Sequence, residues 1–256
     1  MIAVFLANGY EEIEALAVVD VLRRAGLDEK YITGDASDYE KFCKWAECLG
    51  KAIGNPLFHW SHLELQRYFG YTGVLSAKTA DEVCNLCNAK LAQPSMSVRN
   101  LIKQSNVTLI CTTDDPIDTL EWHKKIAEDA SFDVKVLPAW RPDKAMAVAD
   151  SASYRAYLER LSEVSGVKVD SYASLMEALQ VRHDFFASEG CKVADHGVSE
   201  FPWAECSADE AVTLFDKVYA GNKLSSCEVM KLQTAIMLDL CRMNHAPQAH
   251  TGAGTS

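Results

Sequence analysis

From residue 106 onward, short apolar runs alternate with longer stretches in which apolar side chains recur three and four positions apart. The first pattern suits strands buried on both faces, the second helices buried on one. It predicts a strand over 107–111, a helix over 116–128, a strand over 134–137, and helices over 154–164 and 174–188. Gly190 ends the last of these, and 192–194 follows as a short strand leading into Asp195 and His196. Two more helices each open on Ser-x-x-Glu, Ser207 with Glu210 and Ser225 with Glu228, in which each side chain covers the other's backbone N–H. The second runs to about residue 243, with Val229, Leu232, Ile236, Leu240 and Met243 on one face. Strands and helices taking turns imply a parallel sheet, open or closed into a barrel.

The chain begins differently. An apolar run over 2–6 reads as a buried strand, and Glu11, Glu12 and Glu14 crowd the first turn of a following helix, where its dipole favours anions. Ile13, Leu16, Val19 and Leu22 hold the helical spacing, and Gly26 is placed to cap the end. After Asp28, Trp, Tyr and His become frequent, and Asn55-Pro56 separates two helical patterns. A helix over 79–93, opened by Thr79 with Glu82 and closed before Pro94, is expected to bury Leu86 and Leu91. The chain thus divides into a β-α segment over 1–28, a mainly helical region over 29–105 and a strand–helix region over 106–256.

With 256 residues, 48% hydrophobic and 24% charged, the chain can bury a sizeable core. Its net charge of -11 repels phosphate backbones and anionic surfaces, which argues against nucleic acid and membrane partners. An anionic small molecule would need a local cation. The apolar run at 2–6 lacks a basic start and runs straight into Asn8-Gly9 and acidic residues, so no signal peptide is expected there, and no stretch approaches the roughly 20 apolar residues of a membrane helix. Nine scattered cysteines point to reduced thiols and the cytoplasm.

Cys84-x-x-Cys87 falls mid-helix without a second ligand pair, as do Cys43 and Cys48 on another helix, so a core role outweighs a metal or redox role. Three strand ends are more informative, because parallel α/β folds build sites there. Thr112-Thr113-Asp114-Asp115-Pro116 follows the first strand; Asp115 as cap and Pro116 at the first helical position account for two of these residues, leaving Asp114 open to either role. Trp140-Arg141-Pro142-Asp143-Lys144 follows the second. Arg141 suits a carboxylate, although a salt bridge to Asp143 or Asp114 explains it equally well. Asp195-His196 follows the third, as base, acid, metal ligand or simple cap.

Four segments carry a family resemblance: residues 31–37, the run Gly54-Asn55-Pro56-Leu57-Phe58-His59-Trp60-Ser61-His62-Leu63-Glu64-Leu65, the run Cys111-Thr112-Thr113-Asp114-Asp115-Pro116-Ile117-Asp118, and Val136-Leu137-Pro138-Ala139-Trp140-Arg141-Pro142-Asp143-Lys144. In this order they resemble the uronate (glucuronate) isomerase family, over about 28–253. The segment 190–196 is similar to one that ends in Ser-Asp-His, with Ala194 in place of the serine, and 248–253 is similar to a Gln-x-His-Ile-Gly-Ala strand. The resemblance implies an α/β fold that is part of a TIM-like (β/α) barrel of the metal-dependent amidohydrolase type, with a helical insertion. It implies an aldose–ketose isomerase that interconverts D-glucuronate with D-fructuronate and D-galacturonate with D-tagaturonate through an enediol. By the same resemblance Arg141 clamps a carboxylate or hydroxyl and Asp195 is a polar or base residue. Asp114 joins them in substrate binding, His59 and Trp60 line the pocket wall, and His250 stands near a divalent metal, expected to be zinc.

The family's opening His-x-His strand has no counterpart, and the later strands that supply a metal-binding Asp and an Arg are not found. The expectation is therefore an incomplete metal site and an inactive single chain, with a sugar acid as its small-molecule partner; a homo-oligomer is compatible with the sequence. Residues 1–28 resemble instead the start of the ThiJ/PfpI family, in which the acid at the position of Glu14 assists a nucleophilic cysteine. The chain therefore reads as a chimera. No Gly-Cys turn follows a strand. The rival expectations are a ThiJ/PfpI-like thiol enzyme of the deglycase or amidase kind, and a non-catalytic fragment.

Overall fold

The computed structural model describes Arg23, residues 26–197 and residues 201–245, which form a helix-rich α/β protein of two compact units divided between Asn106 and Val107. The strand expected at 2–6, Glu14 and His250 lie outside the described residues. Gly26 has the left-handed φ of +76° and donates its N–H to the carbonyl of Arg23, as a helix-ending glycine does.

The first unit is helical. Helix α1 (Asp38–Leu49) opens on a reciprocal cap between Ser37 and Glu40. Helix α2 (Pro56–Phe69) opens on the Asn55 side chain with Pro56 at its first position and closes on left-handed Gly70. Helix α3 (Ala80–Leu91) and the short α4 (Val98–Gln104) follow. Phe42, Trp45, Leu49, Leu65, Leu75 and Val83 form the core. Cys48, Cys84 and Cys87 are part of it, so the Cys-x-x-Cys pair packs as a small apolar surface. The face containing Cys84 and Cys87 is the buried one, whereas Leu86 and Leu91 are only half-buried. Thr79 does not cap α3: its hydroxyl donates to the Val74 carbonyl at 2.8 Å and accepts the Ser76 N–H at 2.9 Å, which holds it in the preceding turn. The half-buried His62 has both ring nitrogens satisfied, since a carbonyl only accepts and an N–H only donates. Its Nδ1 therefore donates to Phe58 at 2.6 Å while Nε2 accepts from Leu75 at 3.0 Å.

The second unit has strand β1 (Leu109–Cys111), helix α5 (Glu121–Ala127), strand β2 (Lys135–Leu137), and helices α6 (Ser151–Ser165), α7 (Tyr172–Ser188), α8 (Ala208–Tyr219) and α9 (Ser226–His245). The strands pair in parallel, with Leu109 opposite Lys135 and Cys111 opposite Leu137. The pairing continues past both strands through Asp114 against Trp140, and Trp140 in turn pairs in parallel with Ala194. Residues 192–194 therefore run parallel to the segment that follows β2, held by a single bridge at Ala194 and not forming the strand expected there. Leu158, Leu161, Leu175, Leu179, Phe215 and Leu232 fill the core under these segments.

The expected helix over 116–128 starts late, at Glu121, after Leu120 at a φ of +56°. The Asp115 carboxylate accepts the Ile117 N–H, its own N–H donates to Asp118 Oδ2, and the resulting turn is closed. Arg182 on α7 takes the carbonyls of Pro116 and Asp118, which a helix starting at Pro116 would need for its own N–H groups.

Candidate active site

Three parallel segments deliver Asp114, Arg141 and Asp195 to one end of the second unit. Asp114 donates its N–H to the Ala139 carbonyl at 3.1 Å, and Arg141 donates to the Asp114 carbonyl at 3.0 Å. The Trp140 N–H donates to Val193 at 3.0 Å, and the Asp195 N–H to Trp140 at 2.9 Å. The side chains diverge from there. Arg141 Nε donates to Asp143 Oδ2 at 3.0 Å and lies 3.7 Å from Asp195 Oδ2. Of the two readings of Arg141, the structure shows the salt bridge, made to Asp143 and not to Asp114, with Asp195 nearby.

Asp143 is the centre of this cluster. The turn after Pro142 returns its carboxylate beside Arg141, where Oδ2 also accepts the Gly197 N–H at 2.8 Å and Oδ1 faces His196 Nδ1 at 3.0 Å. A carboxylate only accepts, so His196 donates from Nδ1. Burial pushes the Asp143 carboxyl up, but the hydrogen bonds from His196, Gly197 and Arg141 outweigh it and hold the group below the usual carboxylate range.

Asp114 has a different environment. Its Oδ2 accepts the Thr112 hydroxyl at 2.6 Å and the Ala139 N–H at 3.2 Å, with His123 Nε2 at 3.7 Å. Because Thr112 gives its only proton to Asp114, His123 Nε2, 2.7 Å away, donates to the hydroxyl oxygen. Asp115 does not cap a helix; burial pushes its carboxyl up, and Lys144 Nζ lies 3.4 Å away. His59 and Trp60 belong to the first unit, near the start of α2, and are exposed.

In the sequence Asp143 reads only as a salt-bridge partner of Arg141. The signal was there in the Arg-Pro-Asp spacing, which turns the acid back beside the arginine. Gly197 carried no signal, because its role depends on a close approach that only coordinates reveal.

The described residues do not fit a catalytic zinc. Such a site needs about three protein ligands, and no group of three or more His, Cys, Asp or Glu side chains among the described residues is arranged to hold an ion. Asp143 already engages both its oxygens with protein donors. Burial pushes the thiols of Cys48, Cys87, Cys191 and Cys206 up, away from the reactive thiolate.

An α/β unit whose parallel segments end together on an arginine and several carboxylates has the layout of enzymes that build their sites at strand ends. The family model described as glucuronate isomerase matches residues 18–253, and the chain belongs to that family. The match takes in residues 18–27, so the isomerase likeness extends further toward the N-terminus than residue 28. The chain is similar to the uronate isomerase of Lachnoclostridium phytofermentans, with 62% identity over 221 residues that cover 86% of this chain and 47% of that protein. The uronate isomerase of Lachnospira eligens is 58% identical, over 90% of this chain and 50% of its own. Among solved structures, uronate isomerase from Thermotoga maritima superposes with a TM-score of 0.81 at 35% identity, covering 89% of this chain and 50% of the other. The chain thus spans about half the length of the curated relatives it matches.

Proposed function

We propose that this chain carries the sugar-acid-binding part of a uronate isomerase, built on part of a (β/α) barrel. The reaction proposed for the whole protein takes D-glucuronate to D-fructuronate and D-galacturonate to D-tagaturonate through an enediol: the C2 proton moves to C1 while the proton of the C2 hydroxyl passes to the C1 oxygen. The observation that carries the reading is the convergence of Arg141 and Asp195 after neighbouring parallel segments, in a chain of this family. Arg141 holds an oxygen of the sugar acid, for which a guanidinium is the suited partner. Asp195, more exposed than its neighbours and 3.7 Å from that guanidinium, takes the carbon-bound proton, and Asp114 adds a polar wall. His59 and Trp60 are proposed as further substrate contacts, and His250 as a residue near a divalent metal in the complete site.

Titration calorimetry of the 256-residue chain with D-glucuronate tests the reading. Arg141→Ala is expected to weaken binding about tenfold, the scale of one lost hydrogen bond to a charged group. Equal affinity in the two proteins would overturn it.

A further inference from the structure

We infer that Asp143 and Gly197 are the positioning residues of Arg141: the carboxylate holds the guanidinium by its Nε, and the missing side chain of Gly197 leaves the space that Nη2 fills. This rests on the reading of Arg141 as the sugar-acid clamp.

An arginine side chain that is still 24% exposed has several torsions to order before it can act as a fixed clamp. Asp143 supplies that order only because it is itself fixed. It follows Pro142, whose ring restricts the backbone, and its two oxygens receive Arg141 Nε, the Gly197 N–H and His196 Nδ1 at 2.8 to 3.0 Å. The residues after β2 are thereby tied to those after the third parallel segment.

Gly197 completes the arrangement sterically. A Cβ built there falls 1.8 Å from Arg141 Nη2, 2.9 Å from Cζ and 3.3 Å from Nε, so an alanine and the guanidinium cannot share the site. The backbone at Gly197 does not adopt a left-handed φ, so glycine is not required for conformation. Its N–H is bonded to Asp143, so the group that must leave is the guanidinium. Alanine at this exposed position therefore acts on Arg141 with little effect on the fold.

The test pairs D-glucuronate binding with the ¹⁵N-resolved Nε–H signal of Arg141, assigned by its loss in Arg141→Lys. Asp143→Ala and Gly197→Ala are each expected to weaken binding about as much as Arg141→Ala, roughly tenfold, and to abolish the slowly exchanging Nε–H signal. The backbone amide fingerprint should remain folded. Asp143→Asn should keep most of both, because its carbonyl oxygen can accept from Nε and from Gly197 while its amide faces His196 in the other tautomer. Gly197→Ala placed on Arg141→Ala should add nothing. If Asp143→Ala fails to fold, Gly197→Ala decides alone. Wild-type affinity together with an intact Nε–H signal in Gly197→Ala overturns the positioning role even where Arg141→Ala binds weakly. Unchanged binding in Arg141→Ala sinks the clamp instead, and the Nε–H signal then decides the positioning role by itself.

Discussion

Arg182 Nε donates to the carbonyl of Pro116 at 2.6 Å, joining residues 66 positions apart. Nη2 reaches Asp118 at 2.8 Å, and the guanidinium lies over the Phe185 ring at 4.2 Å. Only 7% of Arg182 is exposed, so a side chain that looks like a surface charge on α7 instead fixes the loop that follows Asp114. Arg182→Met removes these donors and leaves the Pro116 carbonyl buried without a partner. It is expected to cost about 2–4 kcal/mol, visible as a lower urea midpoint. An unchanged midpoint would mean that the loop holds itself.

Trp140 connects the core to the strand ends. Its backbone bridges both neighbouring segments, and its ring, 1% exposed, meets Phe186 edge-on at 5.1 Å and His183 at 5.4 Å. Phe186→Ala empties the space beneath that ring and is expected to destabilise the second unit by about 3–5 kcal/mol. Because Arg141 follows Trp140 directly, the variant should also broaden the Arg141 Nε–H resonance before global unfolding. A sharp, unshifted signal in the variant would show that the strand ends are held independently of this packing.

Features decided within a few residues were legible in the sequence. Ser207 with Glu210 and Ser225 with Glu228 cap as their spacing requires, and the parallel order that brings Asp114, Arg141 and Asp195 to one end follows from alternation of strands and helices. Features decided by distant partners were not. The start of α5 depends on Arg182, far along the chain, and Thr79 is diverted from its cap by the Val74 carbonyl. Asp143 was visible as a charge, but its centrality depends on His196 and Gly197 arriving from more than 50 residues away, at separations of 53 and 54.

The pairing of α8 with α9 has a pH signature. Lys231 on α9 meets Glu210 at 2.8 Å, and Lys217 meets Glu228 at 2.7 Å, so ion pairs cross between the helices at two places. Glu228 also accepts the Ser225 N–H, and the Lys217 hydrogen bond first, then those from Ser225, lower its carboxyl from an ordinary 4.5 to about 2. A folded value below the unfolded one means that, between the two, the unfolded chain binds a proton that the folded chain does not. The stabilisation is therefore fully present above about pH 4.5 and is lost as the pH falls toward about 2. Glu228→Gln has no carboxyl to titrate. Its melting temperature should lie below that of the wild type at about pH 6, and the gap should narrow at about pH 3. The exposed side chains make the difference sensitive to salt, so adding about 1 M sodium chloride should shrink it at the higher pH. A gap between the two proteins that stays constant from about pH 6 to about pH 3 would show that Glu228 contributes through its shape and hydrogen bonds, and not through its charge.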